Sequence, residues 1–166
     1  MTLADLLTSL ADAQIDFVIV GGFAVQMHGF QRATYDVDVA LAMNEPNLEK
    51  FVALATELRL SPVVPVALAA LRDAEQLDAW YRDKGMIAFA LRSAPPDELV
   101  LDVLLRPVVD YAKLAANAVS VSLIGRRLRI ASLDDLLAMK RVAARPKDEI
   151  DIIALNKLKR GENPNE

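Results

Sequence analysis

The segment YDVDVAL, residues 35–41, alternates without a break. Tyr35, Val37, Val39 and Leu41 fall on one side and Asp36, Asp38 and Ala40 on the other, the period of a strand with a single apolar face. Before it, Leu3, Leu6, Leu7 and Leu10 recur at helical spacing behind Thr2, a capping residue with Asp5 three positions on. DFVIV, residues 16–20, is a short apolar run ending at Gly21-Gly22 and predicts a buried strand. FAVQMH predicts a short helix opening at those glycines and broken by Gly29. Asn44 and Pro46 open a further helix whose buried stripe is Leu48, Phe51, Val52, Ala55 and Leu58. SPVVPV reads as an extended link, and residues 67–82 as one amphipathic segment holding Trp80.

MIAFAL (86–91) and ELVLDVLL (98–105) predict two strands joined by the turn-rich RSAPPD. A helix over 109–117 precedes a hairpin of AVSVSLI and RRLRIA turning at Gly125. Ser132 with Asp135 resembles a capping box before Leu133, Leu136 and Leu137, and beyond Pro146 a last helix covers 147–158. This order predicts an α/β (α+β) fold, a small mixed β-sheet flanked by helices with a helical C-terminal end. One domain is expected over residues 1–160, followed by a flexible tail at 161–166.

Composition narrows the function classes. The chain of 166 residues is 54% hydrophobic and 25% charged, enough for a sizeable core. Its net charge of −4 disfavours whole-surface attraction to nucleic acid but leaves room for a local basic patch. The lack of cysteine excludes disulfides and thiolate metal sites, and a single histidine excludes a multi-histidine zinc site. The opening MTLADLLTSL has no basic segment of a secretory signal, and no apolar run reaches the roughly 18 residues of a membrane span. A cytoplasmic location and no membrane partner are expected.

The chemistry lies in the acids. Asp36 and Asp38 share a strand face, and Asp102 interrupts the apolar LVLDVLL. Burying such charges is costly unless something pairs with them. Three carboxylates that meet repel one another unless a divalent cation neutralises them, and an all-oxygen donor set favours Mg²⁺ or Mn²⁺. Gly21-Gly22, between a strand and a helix start, lets the backbone approach a ligand, with free N–H groups that favour phosphate. The combination suits a nucleoside triphosphate and its metals.

The stretch GGFAVQMHGFQRATYDVDVAL resembles the DNA polymerase β-like nucleotidyltransferase superfamily, whose signature is a glycine-containing turn, Asp-x-Asp and a later strand acid. It looks most like the small bacterial branch related to abortive-infection toxins, in which Gly-Gly precedes an Arg-x-Thr-x-Asp-x-Asp segment, here Arg32, Thr34, Asp36 and Asp38. SLDDLLAMKRVAARPKDEIDIIAL resembles the C-terminal Lys and Arg-Pro-Lys-Asp helices of that branch. Many superfamily members have Gly-Ser at the turn, whereas Gly22 here leaves only backbone donors. The resemblance implies a minimal nucleotidyltransferase fold and a two-metal transfer of a nucleoside monophosphate with pyrophosphate release. Asp36, Asp38 and Asp102 would be catalytic and metal-holding, with Asp102 also accepting the proton of the attacking hydroxyl. Gly21, Gly22, Arg32 and Lys140 would bind the nucleotide. Analogy points first to a macromolecular acceptor, tRNA or a protein in a toxin–antitoxin setting with an antitoxin partner. An antibiotic or other small hydroxyl compound is the enzymatic alternative, and a non-catalytic nucleotide- or partner-binding module is the rival from another class.

Plainer readings stand beside these. Alternation alone fits a solvent-facing edge strand equally well, and Asp102 has Arg106 or Arg92 as a candidate ion-pair partner. Arg32 either contacts phosphate or holds its loop; Lys140 either reaches phosphate or sits favourably near a helix C-terminus. Asp148 either orients Lys140 or Arg145 or, the safer reading, caps the last helix; His28 and Thr34 read as hydrogen-bonded structural residues, and Arg126, Arg127 and Arg129 as a solvated hairpin ahead of a contact with an RNA acceptor.

Overall fold

A computed structural model describes residues 1–166. Helix α1 (Leu3–Asp12) opens with a full capping box: the Thr2 hydroxyl accepts from the Asp5 amide, and the Asp5 carboxylate accepts from the Thr2 amide. Strand β1 (Phe17–Val20) runs buried along its whole length into α2 (Gly21–Met27). Strand β2 (Asp36–Leu41), helix α3 (Glu45–Glu57) and the two-residue strand β3 (Ser61–Pro62) follow.

The segment over 67–82, which the apolar spacing joins into one, is divided. A 3-10 turn covers Leu68–Arg72, and Asp73 then caps α4 (Ala74–Lys84) by accepting from the Gln76 amide at 3.0 Å. An acid able to cap starts a new helix where periodicity alone continues the old one. Strands β4 (Ala88–Arg92) and β5 (Val100–Leu104), helix α5 (Tyr111–Asn117), the hairpin β6 (Val119–Leu123) and β7 (Arg126–Ile130), and helices α6 (Leu133–Ala143) and α7 (Pro146–Lys159) complete the chain. Ser132 caps α6 by accepting from the Asp135 amide at 3.1 Å.

One mixed sheet of seven strands has the order β3-β4-β5-β2-β1-β7-β6. Strand β2 lies at its centre, antiparallel to β1 and parallel to β5. The alternation of β2 is realised as it reads: Val37 and Val39 are fully buried, while Asp36 and Asp38 are half-buried on the other face. A central position removes the edge-strand reading of those acids. Phe89, Leu91, Leu101 and Val103 continue the apolar face across β4 and β5 and join one core with Leu6, Leu7, Phe51 and Leu71. At the C-terminus, Asn165 donates to the Gly29 carbonyl at 3.1 Å and accepts from the Gln31 amide at 2.7 Å.

Candidate active site

The register of β2 and β5 places Asp38 directly beside Asp102, with Asp36 beside Val100. Register partners in a sheet share a face, so all three carboxylates emerge on the side away from the core. None of them forms a salt bridge: Arg106 pairs with Asp78 and donates to the Leu105 carbonyl. The Thr34 hydroxyl lies 3.0 Å from the Asp36 carbonyl and 3.2 Å from its Oδ1, so it serves the backbone and also steadies the first acid. Burial, followed by the charges of Asp102 and Asp36, pushes the Asp38 carboxyl up to about 6 against the opposing pull of Lys140 and Arg145. Burial and then Asp36 also raise Asp102, with Lys147 opposing.

Three carboxylates without protein counter-ions, offering oxygen only, match the donor chemistry of a hard divalent cation. Their side chains face one pocket but do not converge on a common point as a ready-made group of three ligands. Repulsion between like charges opposes such convergence.

The glycine turn is shaped by these acids. Gly21 has φ +67°, and a Cβ there would lie 2.1 Å from Asp38 Oδ2. A Cβ on Gly22 would lie 3.0 Å from the Arg32 guanidinium carbon. The sequence suggests a phosphate cradle; the structure adds a steric reason, since the first glycine makes room for a carboxylate and the second for a cation. The N-cap residue of α2, Val20, has no side chain able to cap it, so the first amides of the helix remain at the pocket wall.

A buried ionic network backs the site. Arg32 pairs with Asp151, and Lys140 lies 2.7 Å from Asp151 and 3.2 Å from Asp148. Asp148 accepts from the Arg145 amide at 3.0 Å and from its Nε at 2.9 Å, so it caps α7 and also binds Lys140. Burial would raise the Asp148 carboxyl, but the hydrogen bonds from Arg145 and Lys140 outweigh it and hold the group at about 2. Arg32 and Lys140 both line the pocket, and each is anchored by Asp151. Asp151 escaped the sequence reading. Its signal was there, an acid three residues after Asp148 on the same helical face. His28 lies outside the pocket lining, its Nε2 2.8 Å from the Ala131 carbonyl.

The resulting pocket of about 510 Å³ has a floor of Asp36, Asp38 and Asp102. One wall carries Gly21, Gly22, Arg32, Lys140, Arg145 and Lys147, and the other carries Tyr81, Ile87, Ala88, Leu104, Pro107 and Val108. A smaller cavity of about 370 Å³ beside Leu41 and Leu105 is mainly apolar, and its one carboxylate, Asp110, caps α5.

No family model matches the chain, and no curated protein does. Solved structures do. The antibiotic-resistance factor ANT(2'')-Ia in solution is similar over 96% of this chain and 82% of its own, with TM-score 0.61 and 14% identity. The crystal structure of ANT(2'')-Ia in complex with adenylyl-2''-tobramycin is similar over 97% of this chain and 91% of its own, with TM-score 0.59 and 15% identity. An antigenic nucleotidyltransferase-like protein from Paracoccidioides brasiliensis is similar over 94% of this chain and 74% of its own, with TM-score 0.59 and 18% identity. At these identities the likeness is one of fold, and the fold is nucleotidyltransferase-like. No helix is long and apolar enough to cross a membrane.

Proposed function

We propose that this chain is a nucleotidyltransferase of the polymerase β-like superfamily, transferring a nucleoside monophosphate from a nucleoside triphosphate to a hydroxyl acceptor. One observation carries the reading. Asp38 and Asp102 stand side by side across two parallel strands, with Asp36 on the same face, no counter-ion, and a cationic wall adjoining. A nucleotidyltransferase-like protein and ANT(2'')-Ia, the latter in complex with adenylyl-2''-tobramycin, are similar in fold and support it.

The cationic wall of Arg32, Lys140, Arg145 and Lys147 lies where it offsets the charge of a triphosphate, and the amides of Gly21 and Gly22 offer donors to its oxygens. Asp36, Asp38 and Asp102 would hold Mg²⁺ or Mn²⁺ as a pair of ions. Bound there, the ions supply charge neutralisation and Lewis-acid polarisation of the phosphate. Asp102, raised by burial and by Asp36, is placed to take the proton of the acceptor hydroxyl. As that proton leaves, the hydroxyl oxygen bonds the α-phosphorus, and the bond from phosphorus to the pyrophosphate oxygen breaks. Lys140 and Arg32, fixed by Asp151, keep the phosphates in line without a large entropic cost at the moment of reaction.

The test is incubation with each labelled triphosphate, Mg²⁺ and cell extract. Transfer of label with release of pyrophosphate is expected from the native chain and not from Asp38→Asn or Asp102→Asn. Triphosphate binding with no transfer from any preparation would show a nucleotide-binding module instead. The sequence resemblance supports a toxin–antitoxin setting.

A further inference from the structure

The sheet order puts the two walls of the pocket on opposite sides of the acids. Reading across it, β4 comes first, then Asp102 on β5, then Asp36 and Asp38 on β2, then β1 leading into Gly21. The cations other than Arg106 belong to the β1 side, in the loop before β2 and in α6 and α7, beside one exposed apolar group, Val142. The β4 side is different. There Tyr81, Ile87 and Val108 line the pocket and yet are 41%, 66% and 57% exposed, large apolar groups left in water at the mouth of a charged site.

We propose, building on the nucleotidyl-transfer reading, that this β4-side wall is the acceptor subsite and that the acceptor is a small, uncharged hydroxyl compound with an apolar body. Asp102 borders this wall, its register partner on β4 being Ala90, so the wall adjoins the carboxylate floor directly. On this wall, charge disfavours the other acceptor classes. The acids lining the pocket are the three floor carboxylates and Asp148, and Asp148 is already bound by Lys140 and Arg145. A polyamine would therefore find no further carboxylate. A polyanion such as RNA would find on this wall one cation, Arg106, which is tied to Asp78. An apolar body, by contrast, covers Tyr81, Ile87 and Val108 and removes them from water. In the step itself the acceptor oxygen bonds the α-phosphorus, pyrophosphate departs, and the proton passes to Asp102.

The experiment offers labelled triphosphate and Mg²⁺ with one of three acceptors: 4-nitrophenyl glucoside as a neutral hydroxyl compound with an aromatic body, tobramycin as a polyamine, and bulk tRNA. Triphosphate binding is measured separately by equilibrium dialysis. Label is expected on the glucoside alone. Ile87→Glu and Val108→Glu, at exposed positions that tolerate a polar group, should raise the KM for the glucoside about ten-fold or more and leave the KM for triphosphate unchanged. Triphosphate binding with label on tobramycin or tRNA, with no label on the glucoside, or with a glucoside KM indifferent to both substitutions, overturns the acceptor assignment alone. Absence of triphosphate binding overturns the parent reading as well.

Discussion

Burial and two like-charged neighbours hold the Asp38 carboxyl at about 6, above its ordinary value of 3.8. The folded state thus binds this proton more tightly than the unfolded chain does. Below 3.8 there is no penalty; it grows as pH rises toward about 6 and is complete above that. At pH 7 the cost amounts to at most about 3 kcal/mol. Asp38→Asn should therefore raise the melting temperature at pH 7.5 and leave it nearly unchanged at pH 4, while abolishing transfer. Equal melting of both proteins at pH 7.5 would show that Asp38 is not under electrostatic strain. Gly21→Ala acts on the same group from the other side. It needs a left-handed φ of +67° and collides with the Asp38 carboxylate. We expect a loss of about 1–2 kcal/mol from the backbone alone, with activity falling further because the carboxylate must turn away. Denaturant melts and turnover of the refolded variant separate the two effects.

Between elements, the network of Arg32, Lys140, Asp148 and Asp151 fastens the loop before β2 to α6 and α7. Removing one member leaves buried charge uncompensated. Asp151→Ala is expected to cost about 3–5 kcal/mol in urea unfolding. Asp148, held near 2, contributes stability that is full above 3.8 and is lost as pH falls from there toward about 2. Asp148→Asn should flatten that acid limb of the stability profile; a limb of unchanged steepness would assign it to other acids. The sequence made this level only partly legible. The β2 alternation, the cap at Thr2 and the hairpin at Gly125 are local, and each reads directly. Asp151 was missed because its two partners lie on other elements, one of them in the loop before β2, and no periodic pattern announces an ion pair across such a separation. The break at Asp73 was missed because apolar spacing runs through it, while the cap that decides it is a single side chain.

For the molecule as a whole, the proposed function requires that cation binding and proton binding compete for the same carboxylates. Mg²⁺ or Mn²⁺ should raise the melting temperature by several degrees at pH 7.5 and by much less at pH 5, where Asp38 is protonated. Asp36→Ala should erase the difference. A metal effect independent of pH would place the ion elsewhere. That Asp102 would stand on a strand beside Asp36 and Asp38 was legible as an expectation; the parallel sense of the β2–β5 pairing was not, because the partner strands lie far apart in the chain. The same pairing separates two parts of the molecule. The chain leaves β2 at Leu41, passes through α3, β3, α4 and β4, of which β3 and β4 form one edge of the sheet, and enters β5 at Val100, opposite Asp36 at the start of β2. A one-residue slip at the re-entry would turn Asp102 into the apolar interior, so the endpoints tolerate no length change. Within the excursion only β4 is held in register with β5, and the part before β4 carries Tyr81 and Ile87. It is a cassette: a chimaera that exchanges residues 42–99 for the corresponding stretch of a related fold would inherit new recognition while keeping the old chemistry.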